Sequence, residues 1–224
     1  MSFLQRAEGL IGSGRGWSGV EGDALAFVLS QVAGERGRWL VVVDGPEPAQ
    51  RLVDGLEFFL RDPRRALLLP ADDCAPYDGF SPSPEVVQAR MIALHRLDQR
   101  KDGILVAPVQ ALLRNVPDPA TRQKGTRVLR VGDILDRDEL VRELTATGYL
   151  AMARVNEPGA FSVRGDVVDV WPPGLRTPAR IDFFDDEIEA LRRVDVATQR
   201  TGRPLARLIV VPAREERLDT AERR

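Results

Sequence analysis

Two kinds of hydrophobic spacing divide the chain. In its first part, short continuous apolar runs alternate with segments of helical period. Trp39–Asp44 reads Trp-Leu-Val-Val-Val-Asp and closes on Asp44 and Gly45, the pattern expected of a parallel strand buried on both faces. Ala66–Pro70 and Gly103–Ala107 predict two further strands of this kind. Ala24–Val32 reads as a short apolar helix. Pro46–Leu60 carries Leu52, Leu56, Phe59 and Leu60 at helical spacing, and Pro84–Leu97 turns Val87, Met91, Ile92 and Leu94 toward a core. Val109–Arg114 starts another short helix. Strands and helices in alternation predict a doubly wound α/β layer.

The period changes near Pro117–Gln123. Thr126–Val131 reads as a strand, and Asp136–Thr147 as a helix with Asp136, Asp138 and Glu139 in its first turn, where carboxylates suit the positive end of the helix dipole. Gly148 supplies its stop. Closely spaced strands follow at Tyr149–Val155, Phe161–Trp171, Ala179–Phe184, Glu187–Asp195 and Arg207–Val211. The expected fold is therefore α/β. A parallel-sheet domain covers residues 1–120, a smaller α+β domain with an antiparallel sheet covers 121–212, and 213–224 form an exit segment.

Composition narrows the function. The 224 residues suffice for a real core, and 43% apolar with 29% charged is ordinary for a globular protein. A formal net charge of −2 and a pI near 5.6 argue against a dedicated nucleic-acid clamp, which carries a basic excess. Lys101 and Lys124 are the only lysines, so the cationic surface is arginine, the better interface cation. With Cys74 as the only cysteine and His95 as the only histidine, disulfide frameworks, thiolate zinc sites and histidine triads are excluded. No apolar run approaches the ~20 residues that span a bilayer, and Met1–Gly12 lacks the order of a signal peptide, so no membrane partner is expected and the cytoplasm is the expected compartment.

Few residue patterns suggest chemistry. Gly12, Gly14, Gly16 and Gly19 invite a phosphate-loop reading, but such a loop needs a following lysine, and none occurs before position 101. No nucleotide, metal or other cofactor is expected. His95 and Cys74 read as incidental, and Asp72-Asp73 and Asp185-Asp186 as turn residues, the second pair between two strands of a hairpin. The strand Ala179–Phe184 is more informative. Alternation sets Ile181 and Phe183 on one face and Arg180, Asp182 and Phe184 on the other. A phenylalanine beside an arginine on a solvent face has the composition of an interface hot spot. Arg164 comes from the preceding strand, with Gly165-Asp166 a possible bulge site.

These residues also carry a family resemblance. Pro76-Tyr77-Asp78-Gly79-Phe80-Ser81-Pro82 resembles a turn of the bacterial transcription-repair coupling factors. Arg164-Gly165-Asp166-Val167-Val168-Asp169-Val170-Trp171-Pro172 resembles their Arg-Gly-x-x-x-Asp-x-Phe/Trp-Pro strand. Arg180–Glu189, Asp195 and Thr198-Gln199-Arg200-Thr201 continue the likeness, which covers nearly the whole chain. It departs at Ala190 and Val194, where the family usually has serine and phenylalanine.

The resemblance implies a degenerate, helicase-like domain 1A followed by a domain 2 that binds the repair protein UvrA, with no catalysis. It assigns UvrA contact to Arg164, Arg180 and Phe184. Family contacts with RNA polymerase and double-stranded DNA, and the ATP-dependent translocase, are expected outside these residues. The module is shared with the excision helicase UvrB, so the rival readings are a UvrB-like DNA binder or a helicase fragment. The missing lysine speaks against the second. The scarcity of tyrosines (Tyr77 and Tyr149 only) speaks against the aromatic hairpin that the first needs.

Overall fold

The computed structural model describes residues 19–34, 37–74, 79 and 81–215. The chain divides into two compact units, residues 1–80 with 96–115, and residues 81–95 with 116–224. The glycines at 12, 14 and 16, and most of the Pro76–Pro82 turn, lie outside the described residues.

The first unit contains α1 (Gly22–Val32), β1 (Arg38–Val43), α2 (Pro46–Phe59), β2 (Ala66–Leu68) and β3 (Gly103–Pro108). The three strands form a parallel sheet in the order β1-β3-β2. Central β3 is buried at all six positions. β1 is covered on one face only: Trp39, Val41 and Val43 pack against the core, whereas Leu40 and Val42 stay exposed. The expectation of burial on both faces of Trp39–Asp44 is thus corrected, since an apolar run does not reveal whether both faces of its strand are covered. α1 and α2 close on that packed face through Ala26, Leu52, Val53 and Leu56. They approach closely because position 55 is glycine; a Cβ there would lie 2.7 Å from that of Ala26.

The second unit contains the antiparallel sheet. After α4 (Pro119–Lys124), β4 (Arg127–Leu129) and α5 (Arg137–Ala146) come β5 (Leu150–Ala151), β6 (Ala160–Arg164), β7 (Val167–Val170), β8 (Ala179–Phe184), β9 (Glu187–Val194), β10 (Thr201–Pro204) and β11 (Leu208–Val210). Six strands order as β10-β9-β8-β7-β6-β5, and β11 pairs with β4. Every neighbouring pair is antiparallel except β5 with β6. Asp136 caps α5 by accepting a 2.6 Å hydrogen bond from the Glu139 amide, and Gly148 follows the helix at φ 88°.

The span Phe161–Trp171, expected as one strand, is two. β6 and β7 form a hairpin turning at Gly165-Asp166, with Gly165 at φ 58°, a left-handed conformation that glycine takes without steric cost. The next hairpin turns at Asp185-Asp186, with Asp185 at φ 51°. β10 was not foreseen. It follows a turn in which Asp195 accepts from both the amide and the hydroxyl of Thr198 at 2.7 Å, contacts that lower its pKa.

The inner face of this sheet supplies Phe161, Val168, Val170, Ile181, Phe183, Ile188 and Leu191 to a core completed by Leu140 and Leu144 of α5 and by β4 and β11. Tyr149 is buried there and donates to the Val211 carbonyl at 2.6 Å. The remaining helix, α3 (Pro84–Gln99), gives residues 84–95 to this unit. Its largest wholly buried side chain is not one of the apolar residues but Arg90, ion-paired with Glu215, whose side chain is equally sealed from water.

Two outcomes are expected. Glu215→Ala removes a fully buried ion-pair partner of Arg90 and lowers unfolding free energy by up to about 3–5 kcal/mol in a urea titration. Burial raises the Tyr149 pKa well above its ordinary 10.0. The native state therefore keeps a proton that the unfolded chain sheds, so stability is intact below that pH and falls as pH rises past it. Denaturant midpoints across that range show the decline, and Tyr149→Phe lacks this component.

Candidate functional site

The outer face of the antiparallel sheet carries the polar residues. On β8 the side chains of Ala179, Ile181 and Phe183 point into the core, which leaves Arg180, Asp182 and Phe184 on the other side. Register extends this face sideways. Arg180 pairs with Asp169 on β7 and Arg192 on β9, and Asp169 pairs in turn with Ser162 on β6. Arg164 lies two residues from Ser162 on the same side of β6, a diagonal neighbour of Asp169.

Asp169 is the centre of this arrangement. It is 1% exposed, yet sits in the run Val167-Val168-Asp169-Val170. Its Oδ1 accepts from Arg180 Nε at 2.7 Å, and its Oδ2 accepts from Arg180 Nη2 at 2.8 Å and from Arg164 Nη2 at 2.7 Å. The Arg180 contact is bidentate, the geometry in which a planar guanidinium fits a carboxylate best. Hydrogen bonding to Asp169 raises the Arg180 pKa above the ordinary arginine value against the opposing effect of burial, so the cation is permanent. The trio of two cations and one anion keeps a net positive charge.

The two arginines differ in access. The Arg180 side chain is 18% exposed and that of Arg164 is 47%. Arg164 touches Asp169 through Nη2 alone among the described residues, which leaves its other donors for a partner. Asp182, half-buried, is engaged by the more exposed Arg192 at 2.6 Å, a pair that adds no net charge.

Phe184, at the hairpin end of β8, is 70% exposed. A register shift places it: Asp182 pairs with Ala190 but Phe183 with Ile188, so Glu189 is an extra residue on β9. The structure thus brings Arg164, Arg180 and Phe184 onto one face, Arg164 and Arg180 through a shared carboxylate. Asp169 was not among the sequence candidates. Its signal is a lone carboxylate, in phase with Arg180, inside an otherwise apolar strand.

No group of three or more histidine, cysteine, aspartate or glutamate side chains suited to a metal occurs among the described residues, and no helix among them is long and apolar enough to cross a membrane. The site offers charge, shape and an exposed ring. It is suited to recognition.

Comparison with known proteins agrees in placing this unit. The family described as UvrB interaction domain matches residues 128–215. A transcription-repair-coupling factor of Myxococcus xanthus is 39% identical over 204 residues, covering 88% of this chain. Those of Haemophilus influenzae (35% over 193 residues, 86% of the chain) and Escherichia coli (34% over 202 residues, 89% of the chain) are similar. The chain spans 17% of the length of each of these relatives.

Replacing Asp169 by alanine removes the carboxylate that the two guanidiniums share. Asp169→Ala is expected to lower unfolding free energy by roughly 2–4 kcal/mol, below the fully buried case because both arginines are partly solvated, as read from urea unfolding curves. A loss under about 0.5 kcal/mol, ordinary for a surface change, would deny the carboxylate this role.

Proposed function

Since the chain belongs to the transcription-repair-coupling factor family, we propose that it is a non-catalytic recruitment module of transcription-coupled nucleotide excision repair, docking UvrA through the outer face of its antiparallel sheet. The observation that carries this reading is the exposed Phe184 on the same face as two arginines held in place by the buried Asp169. Large apolar rings are rarely left in water without use, and aromatic and arginine side chains dominate the energetics of protein interfaces.

The physical route is preorganisation. Fixing a long side chain at an interface costs about 0.5–1.5 kcal/mol, and Asp169 has already fixed both arginines before a partner arrives. Arg164 then presents its outward donors to a partner carboxylate, while the Phe184 ring enters an apolar depression beside it. The residual positive charge favours an acidic partner surface and speeds encounter at low salt. Catalytic translocation, RNA polymerase contact and double-stranded DNA contact fall, in this reading, to parts of the family's length that these residues do not span.

Titration of UvrA with the wild-type chain, Arg180→Ala and Phe184→Ala provides the test. Each substitution is expected to cost ~2–4 kcal/mol of binding, with Phe184→Ala leaving the thermal midpoint unchanged because its ring is outside the core. Wild-type binding by both variants would refute the assignment.

A further inference from the structure

We infer that Ile134 is a further anchor of this docking face, delivered by the loop between β4 and α5. The inference rests on reading the outer face as the UvrA-docking surface. Residues Gly132–Leu135 run alongside β9 as a short antiparallel addition: the Gly132 amide donates to the Ile188 carbonyl at 2.8 Å, the Ile188 amide to Asp133 at 3.0 Å, and the Leu135 amide to Asp186 at 2.7 Å. Ile134 is thereby paired with Glu187, and Glu187 is paired across the hairpin with Phe184.

Residues opposite one another in antiparallel ladders project to the same side. Phe184, Glu187 and Ile134 therefore form one row across the outer face, with steps of about 4.5–5.5 Å between successive Cβ atoms. Alternation along the loop agrees, because Leu135 enters the core and turns Ile134 outward. Ile134 is 75% exposed, slightly more than Phe184. Two large apolar side chains thus stand in water roughly 10 Å apart, one on each side of the exposed Glu187 carboxylate.

Charge defines the occupant. Glu187 in this row and Asp185 and Asp186 at the hairpin tip are all exposed, whereas Arg164 ends β6 in the row of Asp182, and Arg180 and Arg192 pair in the next outward row away from the tip. The complementary strip on the partner reads carboxylate, apolar side chain, cation, with the carboxylate facing Arg164 and the cation facing the tip. A partner of uniform negative charge does not fit this polarity.

The test titrates UvrA with the 224-residue chain carrying Ile134→Asp or Ile134→Ala, beside Phe184→Ala. Ile134→Asp is expected to weaken binding at least tenfold and Ile134→Ala several-fold, with thermal midpoints unchanged because the side chain lies outside the core. If Phe184→Ala weakens binding and both Ile134 variants bind like wild type, the Ile134 anchor is overturned while the docking face stands. If none of the three weakens binding, the docking face itself falls and the anchor with it.

Discussion

A carboxylate sealed from water costs several kcal/mol unless positive charge meets it with good geometry, and Asp169 is met on both oxygens by guanidiniums from the two strands that flank its own. The order β6-β7-β8 is what makes this possible, for it puts the acid on the middle strand and one base on each neighbour. The interaction therefore does two things. It stitches three strands across their outer face, and it holds two cations in one geometry where a partner can find them.

The rest of the second unit makes that face rigid. Apolar residues of opposite parity on the same strands lock onto α5 and the β4–β11 pair, so no strand can slip by one residue without burying Arg180 and exposing Ile181. Two short turns, at Gly165 and at Asp185, keep the strands in register, and the extra residue at Glu189 lets the alternation of β8 run through to Phe184. Beyond the hairpin, Gly132–Leu135 lines the near end of β9 and widens the face at the end where the aromatic ring stands.

Much of this was legible from residue order, and the failures have physical causes. The α/β character, most strands and helices and the parity of Arg180, Asp182 and Phe184 follow from periods of 2 and 3.6, which are local. What periodicity does not encode is who sits next to whom. Trp39–Val43 looks doubly buried because an apolar run does not reveal whether both faces of its strand are covered. Phe161–Trp171 looks continuous because the two residues of a tight turn interrupt alternation too briefly to register. The burial of Arg90 has no local signal, because its partner lies 125 residues away. Asp169 was missed even though its partners lie only 5 and 11 residues away, because alternation gives the face of a side chain but not its cross-strand contacts.

The claim that the outer sheet face is where UvrA docks is tested most directly by mapping the contact on the unaltered chain. NMR of an isotopically labelled chain with UvrA added in increments reports which groups lose signal on binding. The account predicts attenuation centred on the Phe184 ring and the Arg164 and Arg180 side-chain N–H groups, with the inward-facing Ile181 and Leu191 methyls least affected. Attenuation centred on α1 and α2, with the Phe184 ring unchanged at saturation, would contradict it.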